Sequence, residues 1–117
     1  MTVVVKEKLD DLVGALGIRD AVETLIFALP YIIERQNALA QFLRVGDWES
    51  ARHIAHKALS SVRLYASSQL ETLLQQVRQQ EIAVISTAEF QATLDGEFST
   101  VIHTLEDWLS EHPLWTQ

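Results

Sequence analysis

The stretch DAVETLIFALPYIIERQNALAQFLRVGDWE, Asp20 to Glu49, decides the fold class. Val22, Leu25, Ile26, Leu29, Ile32, Ile33, Leu39, Phe42 and Leu43 recur at the helical period, which predicts one long helix with a broad buried face. Asp20 is read as its N-cap, because a short carboxylate accepts from the orphan amides of a first turn. Pro30 lacks an N–H and clashes with the carbonyl four residues back, so a bend is expected near Ile26. The apolar stripe resumes in phase beyond it, which argues against two separate helices. Gly46 then stops the helix and Asp47 starts the next, with Glu49 in a first turn where the helix dipole favours negative charge.

The flanking sequence repeats the pattern. Leu9, Leu12, Val13 and Leu16 predict a short amphipathic helix stopped by Gly17. After Asp47 the inward stripe is Trp48, Ala51, Ala55, Ala58 or Leu59, Val62 and Tyr65, whose small members let a neighbouring helix approach closely. Ser68-Gln69-Leu70-Glu71 and Ser86-Thr87-Ala88-Glu89 are capping boxes. The first opens a helix with Leu70, Leu73, Leu74 and Val77 inward. The second opens a helix carrying Phe90, Leu94, Phe98, Val101, Leu105, Trp108 and Leu109, expected to end before Pro113. Leu114 and Trp115 fall in the tail beyond it. The prediction is an all-α chain: an antiparallel up-and-down four-helix bundle with an additional short N-terminal helix, residues 1–117 forming a single domain.

Composition narrows the functional classes. Nine Lys and Arg against sixteen Asp and Glu leave a net charge of -7 over 117 residues, a field that repels nucleic acid and anionic lipid. There are no cysteines, which excludes disulfides, thiolate catalysis and cysteine-ligated metal sites and suits a reducing compartment. No apolar run approaches the roughly 20 residues of a membrane span. The N-terminal residues lack the basic-then-apolar order of a signal peptide, so a cytoplasmic location is expected.

The helix after Asp47 carries the residues that could do chemistry. Its outward face holds Glu49, Arg52, His53, His56, Lys57, Ser60 and Arg63. At about 100° per residue, Arg52, Ser60 and Arg63 fall within roughly 40° of His56, a basic strip around one histidine that suits a phosphoryl group or an acidic partner. Glu49, His53 and His56 have the spacing of metal ligands on one helix. A bundle metal site also needs inward carboxylates from other helices, and none is evident, so no metal is expected. His103 and His112 are read as surface or capping residues. No nucleophile-base-orienter set and no phosphate-binding glycine loop is present, which argues against a turnover enzyme.

Ala55-His56-Lys57-Ala58-Leu59-Ser60-Ser61 resembles the signature of the histidine-containing phosphotransfer (HPt) domain, an Ala-His pair followed by Leu-Lys-Gly, small residues and a second glycine. The resemblance extends upstream to the long proline-containing helix and the Gly46-Asp47 turn. Downstream it takes in Leu70-Glu71 and the closing segment Leu105-Glu106-Asp107-Trp108-Leu109. On this resemblance His56 matches the phosphoacceptor, Ser60 the small residue one turn later and Ala66 the second glycine. Leu59 stands where the family has lysine, Ala58 where it has leucine and Ser60 where it has glycine.

The resemblance implies a phosphoryl carrier of a two-component phosphorelay. His56 would take a phosphoryl group from the aspartate of a response-regulator receiver domain or a hybrid histidine kinase and pass it to another receiver. The carrier needs no cofactor of its own; Mg²⁺ belongs to the receiver. Arg52, Lys57 and Arg63 are expected to supply the positive charge of the missing lysine, and Ser60 to leave room for the receiver to close over His56. A lysine restored at Leu59 would speed transfer if the lost charge is limiting, whereas an unchanged rate would show that Arg52, Lys57 or Arg63 already compensates or that charge there is irrelevant. The alternative is an HPt-like module that binds a receiver or kinase without accepting phosphate, and a plain helical scaffold is the third reading.

Overall fold

Gly46 adopts φ 77° and ψ 23°, and its N–H bonds to the Leu43 carbonyl while the Asp47 N–H bonds to that of Phe42. This left-handed residue terminates the long helix and turns the chain at once into the next. The computed structural model describes the backbone of residues 2–112 and the side chains of residues 6–112. Over these the chain is all-α. Six helices are present: α1 (Thr2–Leu16), α2 (Ile18–Val45), α3 (Trp48–Val62), α4 (Ser68–Arg78), α5 (Ile82–Ile85) and α6 (Ala88–Ser110). No strand occurs among the described residues. Pro113, Leu114 and Trp115 lie outside them.

α2 runs unbroken through Pro30 for 28 residues, about 42 Å at the helical rise, and so defines the long dimension of a molecule measuring 44 × 23 × 20 Å. Val22, Leu25, Leu29, Ile32, Leu39 and Leu43 are buried along it, whereas Ile26, Ile33 and Phe42 are half-buried at the edges of the stripe. α2 packs against α1, α3 and α6, and α4 packs against α3 and α6, so α2, α3, α4 and α6 enclose one core. α6 contributes Phe90, Leu94, Phe98, Val101, Leu105 and Leu109 to it, with Trp108 half-buried. Gln36 on α2 donates to the Asp95 carbonyl and to Ser99 Oγ, at 3.1 and 2.9 Å, fixing the register of α2 against α6.

Four boundaries differ from the sequence expectation. α1 is not short: it spans 15 residues, because Leu9 and Leu12 anchor it on the core and the β-branched run ahead of them continues the helix despite its weak propensity. Leu16, expected inward, is 44% exposed at its last turn. α2 begins at Ile18 after Gly17, which carries no side chain to cap it, and Asp20 sits inside the first turn, where its charge complements the dipole. The caps of α4 and α6 are Ser67 and Thr87, each one residue from the hydroxyl that heads the capping-box spacing. Ser67 Oγ accepts from Leu70 N at 3.3 Å and Thr87 Oγ1 from Phe90 N at 3.1 Å. In both places adjacent hydroxyl residues compete, and the one with extended backbone (ψ 157° and 145°) takes the cap. The single turn α5 was not anticipated; four apolar residues are too few to show a period.

Candidate functional site

α3 is fixed at its start by Asp47, whose carboxylate accepts from Ser50 N at 3.2 Å, and along one side by buried Ala51, Ala55, Ala58, Leu59 and Val62. The alanines let α2 and α4 close on it, which leaves the opposite side, with Glu49, His53, His56, Lys57 and Ser60, facing solvent. Arg52 is partly covered. Arg63 is not on the helix: it is the C-cap residue, so the strip of cations bends into the α3–α4 turn at its end.

The cations around His56 are largely engaged. Glu49 Oε1 accepts from both Nε and Nη2 of Arg52, and Gln80, beyond α4, donates to Glu49 Oε2 at 3.0 Å. Those hydrogen bonds, Arg52 first, together with the Arg52 charge hold the Glu49 carboxyl below the usual carboxylate range, and the same contact raises the Arg52 guanidinium. Both groups are therefore charged across the physiological range and offset one another. Arg63 Nε donates to Glu71 Oε1 at 2.8 Å, a second offset pair. Lys57 is the one cation of the strip with no carboxylate partner among the described residues. Ser60 Oγ donates to the Lys57 carbonyl at 2.6 Å, which holds the hydroxyl against the helix and away from the face above it.

His56 itself is exposed, with no side-chain hydrogen bond or ion pair to any described residue. A neutral imidazole in that setting offers a ring nitrogen lone pair to solvent or to a docked partner. The structure thus brings His56, Lys57 and Ser60 together on one exposed face, and turns Arg52 and Arg63 toward carboxylates beside it. Gln80 and Glu71 were not found by sequence reasoning. The Glu49 and Arg52 spacing was readable as a helix pair, but the contacts from Gln80 and Glu71 cross between helices and leave no periodic signal.

Of the other histidines, His53 shares the solvent-facing side of α3, whereas His103 and His112 lie at α6. His53 lines a shallow recess with Phe42, Glu49, Ser50 and Ile54. His103 is exposed on α6. His112 lies 2.6 Å through Nδ1 from the Trp108 carbonyl, with its ring centroid 4.0 Å from that of Trp108, a capping contact at the end of α6. Among the described residues, no group of three or more His, Asp or Glu side chains could hold a metal ion, and no helix is long and apolar enough to cross a membrane. Compared with known proteins, the chain matches no family model, and neither a curated protein nor a solved structure was found similar to it.

Proposed function

We propose that this chain is a histidine phosphotransfer module of a two-component phosphorelay, with His56 as the phosphoacceptor. The observation that carries this reading is the exposed, unengaged imidazole of His56 on a helix braced by alanines, with Lys57 beside it and no large side chain in the next turn outward. The fold that goes with it is an up-and-down bundle of α2, α3, α4 and α6, with α1 added at one side. The two-residue link from α2 to α3 and the closed circuit of helix contacts support that arrangement.

In this mechanism the receiver brings the aspartyl phosphate, the Mg²⁺ and a lysine. The His56 ring nitrogen attacks phosphorus in line, the N–P bond forms, and the P–O bond to aspartate breaks with its electron pair returning to the carboxylate. The loose transition state asks mainly for alignment and positive charge. Lys57 supplies charge from this side, and Arg52 and Arg63 add theirs where docking draws them from Glu49 and Glu71. The protein turns nothing over by itself. The reading implies a cytoplasmic protein whose partners are receiver domains or a hybrid histidine kinase.

A second reading, docking without phosphoryl transfer, is favoured by the engagement of Arg52 and Arg63 and by Leu59 in place of an exposed lysine. One experiment separates the two: incubation with a panel of phosphorylated receiver domains, following label on the wild type and on His56→Gln while complex formation is measured in parallel. Label on the wild type that disappears in His56→Gln is the expected result. Binding of a receiver with no label on either protein would establish the second reading, and label retained by His56→Gln would overturn the assignment of His56.

A further inference from the structure

Where the end of α3 meets the middle of α2, a recess of about 140 Å³, partly open to solvent, is lined by Phe27, Tyr31, Ile32, Arg35, Ser61 and Tyr65. Its two ends differ in chemistry. At the rim Phe27 is 72% and Tyr31 48% exposed, with ring centroids 5.6 Å apart and planes inclined at 43°, so the two rings form an angled apolar wall. At the base three polar groups converge. Arg35 Nη1 lies 3.4 Å from Ser61 Oγ, and Ser61 Oγ lies 3.3 Å from the hydroxyl of Tyr65, a residue only 4% exposed.

The base is under-used as it stands. A guanidinium presents five N–H donors in a planar fork, and Arg35, half-buried, spends one on a contact longer than an ordinary N–H···O bond. No carboxylate lies within ion-pair distance of it among the described residues, in a chain whose acids outnumber its bases sixteen to nine. Burial pushes the Tyr65 hydroxyl up from its ordinary value, so it stays protonated and adds a further donor. A half-buried cation with a spare fork, two hydroxyls and an aromatic wall is the complement of an anion attached to a flat apolar body.

We infer that this recess is a binding site for a small aromatic carboxylate, the carboxylate seated on Arg35, Ser61 and Tyr65 and the ring laid against Phe27 and Tyr31. The site is separate from the exposed face of His56 and does not depend on phosphoryl transfer. Its volume is close to that of a cavity that holds one benzene ring, and its open side leaves the rest of the ligand at the rim. Such a ligand would exchange the exposed face of Phe27 for a ring contact and complete the hydrogen bonding of Arg35.

The sequence contains two tyrosines, and both line the recess, so tyrosine-selective ¹³C labelling of the full chain reads the site directly. The probe is 3-phenylpropanoate, titrated to about 10 mM, a range that captures weak single-ring ligands. Its neutral isostere 3-phenylpropanamide is the control. The expected result is saturable movement of both tyrosine signals with the acid and about tenfold weaker binding of the amide, the loss of one charge-assisted contact. Arg35→Gln should bring the acid down to the amide's affinity while the tyrosine signals stay dispersed. Should that variant not fold, Arg35→Lys keeps the charge without the fork and should still weaken the acid. No saturable shift with the acid, or equal binding of acid and amide by the wild type, would overturn the site.

Discussion

His56 and Leu59 stand three residues apart on α3 yet face opposite media: the His56 side chain is exposed, whereas Leu59 keeps 9% of its surface accessible and belongs to the core. A lysine at position 59 therefore starts inside the bundle, where its ammonium is poorly solvated, and reaches water only by extending along the helix. Leu59→Lys should lower stability by about 2 kcal/mol. Any acceleration of phosphoryl transfer expected from the residue pattern should be absent. Urea denaturation checks the first statement; a denaturation midpoint equal to that of the wild type would show that the side chain escapes to the surface at no cost.

The α2–α3 turn rests on two residues that act for different reasons. Gly46→Ala should cost about 1 kcal/mol, because its φ of 77° disfavours any Cβ-bearing residue. Sterics add little, since the new Cβ would meet Trp48 Cζ2 at an ordinary 3.5 Å. Asp47→Ala should cost a similar ~1 kcal/mol through loss of the cap on Ser50 N. Gly14→Ala is the control: it lies within α1 with open space around the position, and should stabilise by up to about 1 kcal/mol. Thermal melts of the three variants should therefore shift in opposite directions, down for the first two and up for the third.

Glu97 on α6 is half-buried, and its Oε2 is sequestered without a hydrogen-bond partner among the described residues. Desolvation raises its carboxyl above the ordinary value. For an acid whose folded pKa is raised, the cost falls on the ionised folded state. It is present in full above the folded pKa, shrinks as pH falls through that value, and vanishes below the unfolded pKa. Glu97→Gln should thus stabilise the protein at neutral pH, with the advantage fading in acid. Denaturation midpoints of wild type and variant across pH 3 to 7, spanning about the carboxylate range, check this; a constant difference over the range would mean that packing and not ionisation is responsible.

The helices of this protein were legible because the property that makes them is periodic. Val22, Leu25, Leu29, Ile32, Leu39 and Leu43 stand on one face of any helix that includes them, and that face proved buried. Gly46 and Asp47 were legible too, since the left-handed stop and the carboxylate cap depend on neighbours within four residues. The exposure of His56, Lys57 and Ser60 followed from the same period.

Tertiary structure alone decided what depends on contacts between helices. Whether Ser67 or Ser68 caps α4 turned on which residue was left extended when α4 docked. That Arg63 meets Glu71, that Gln80 reaches Glu49 and that Ala58 and Leu59 are both buried, where the helical period allowed either, depended on how α3 and α4 lie against each other. The gathering of Phe27, Tyr31 and Arg35 from α2, Ser61 from α3 and Tyr65 from the turn after it into one recess is of the same kind. A sequence displays the period of each helix along its own axis; the rotation of one helix against the next is set by side-chain interdigitation over the whole interface, and no short pattern encodes it.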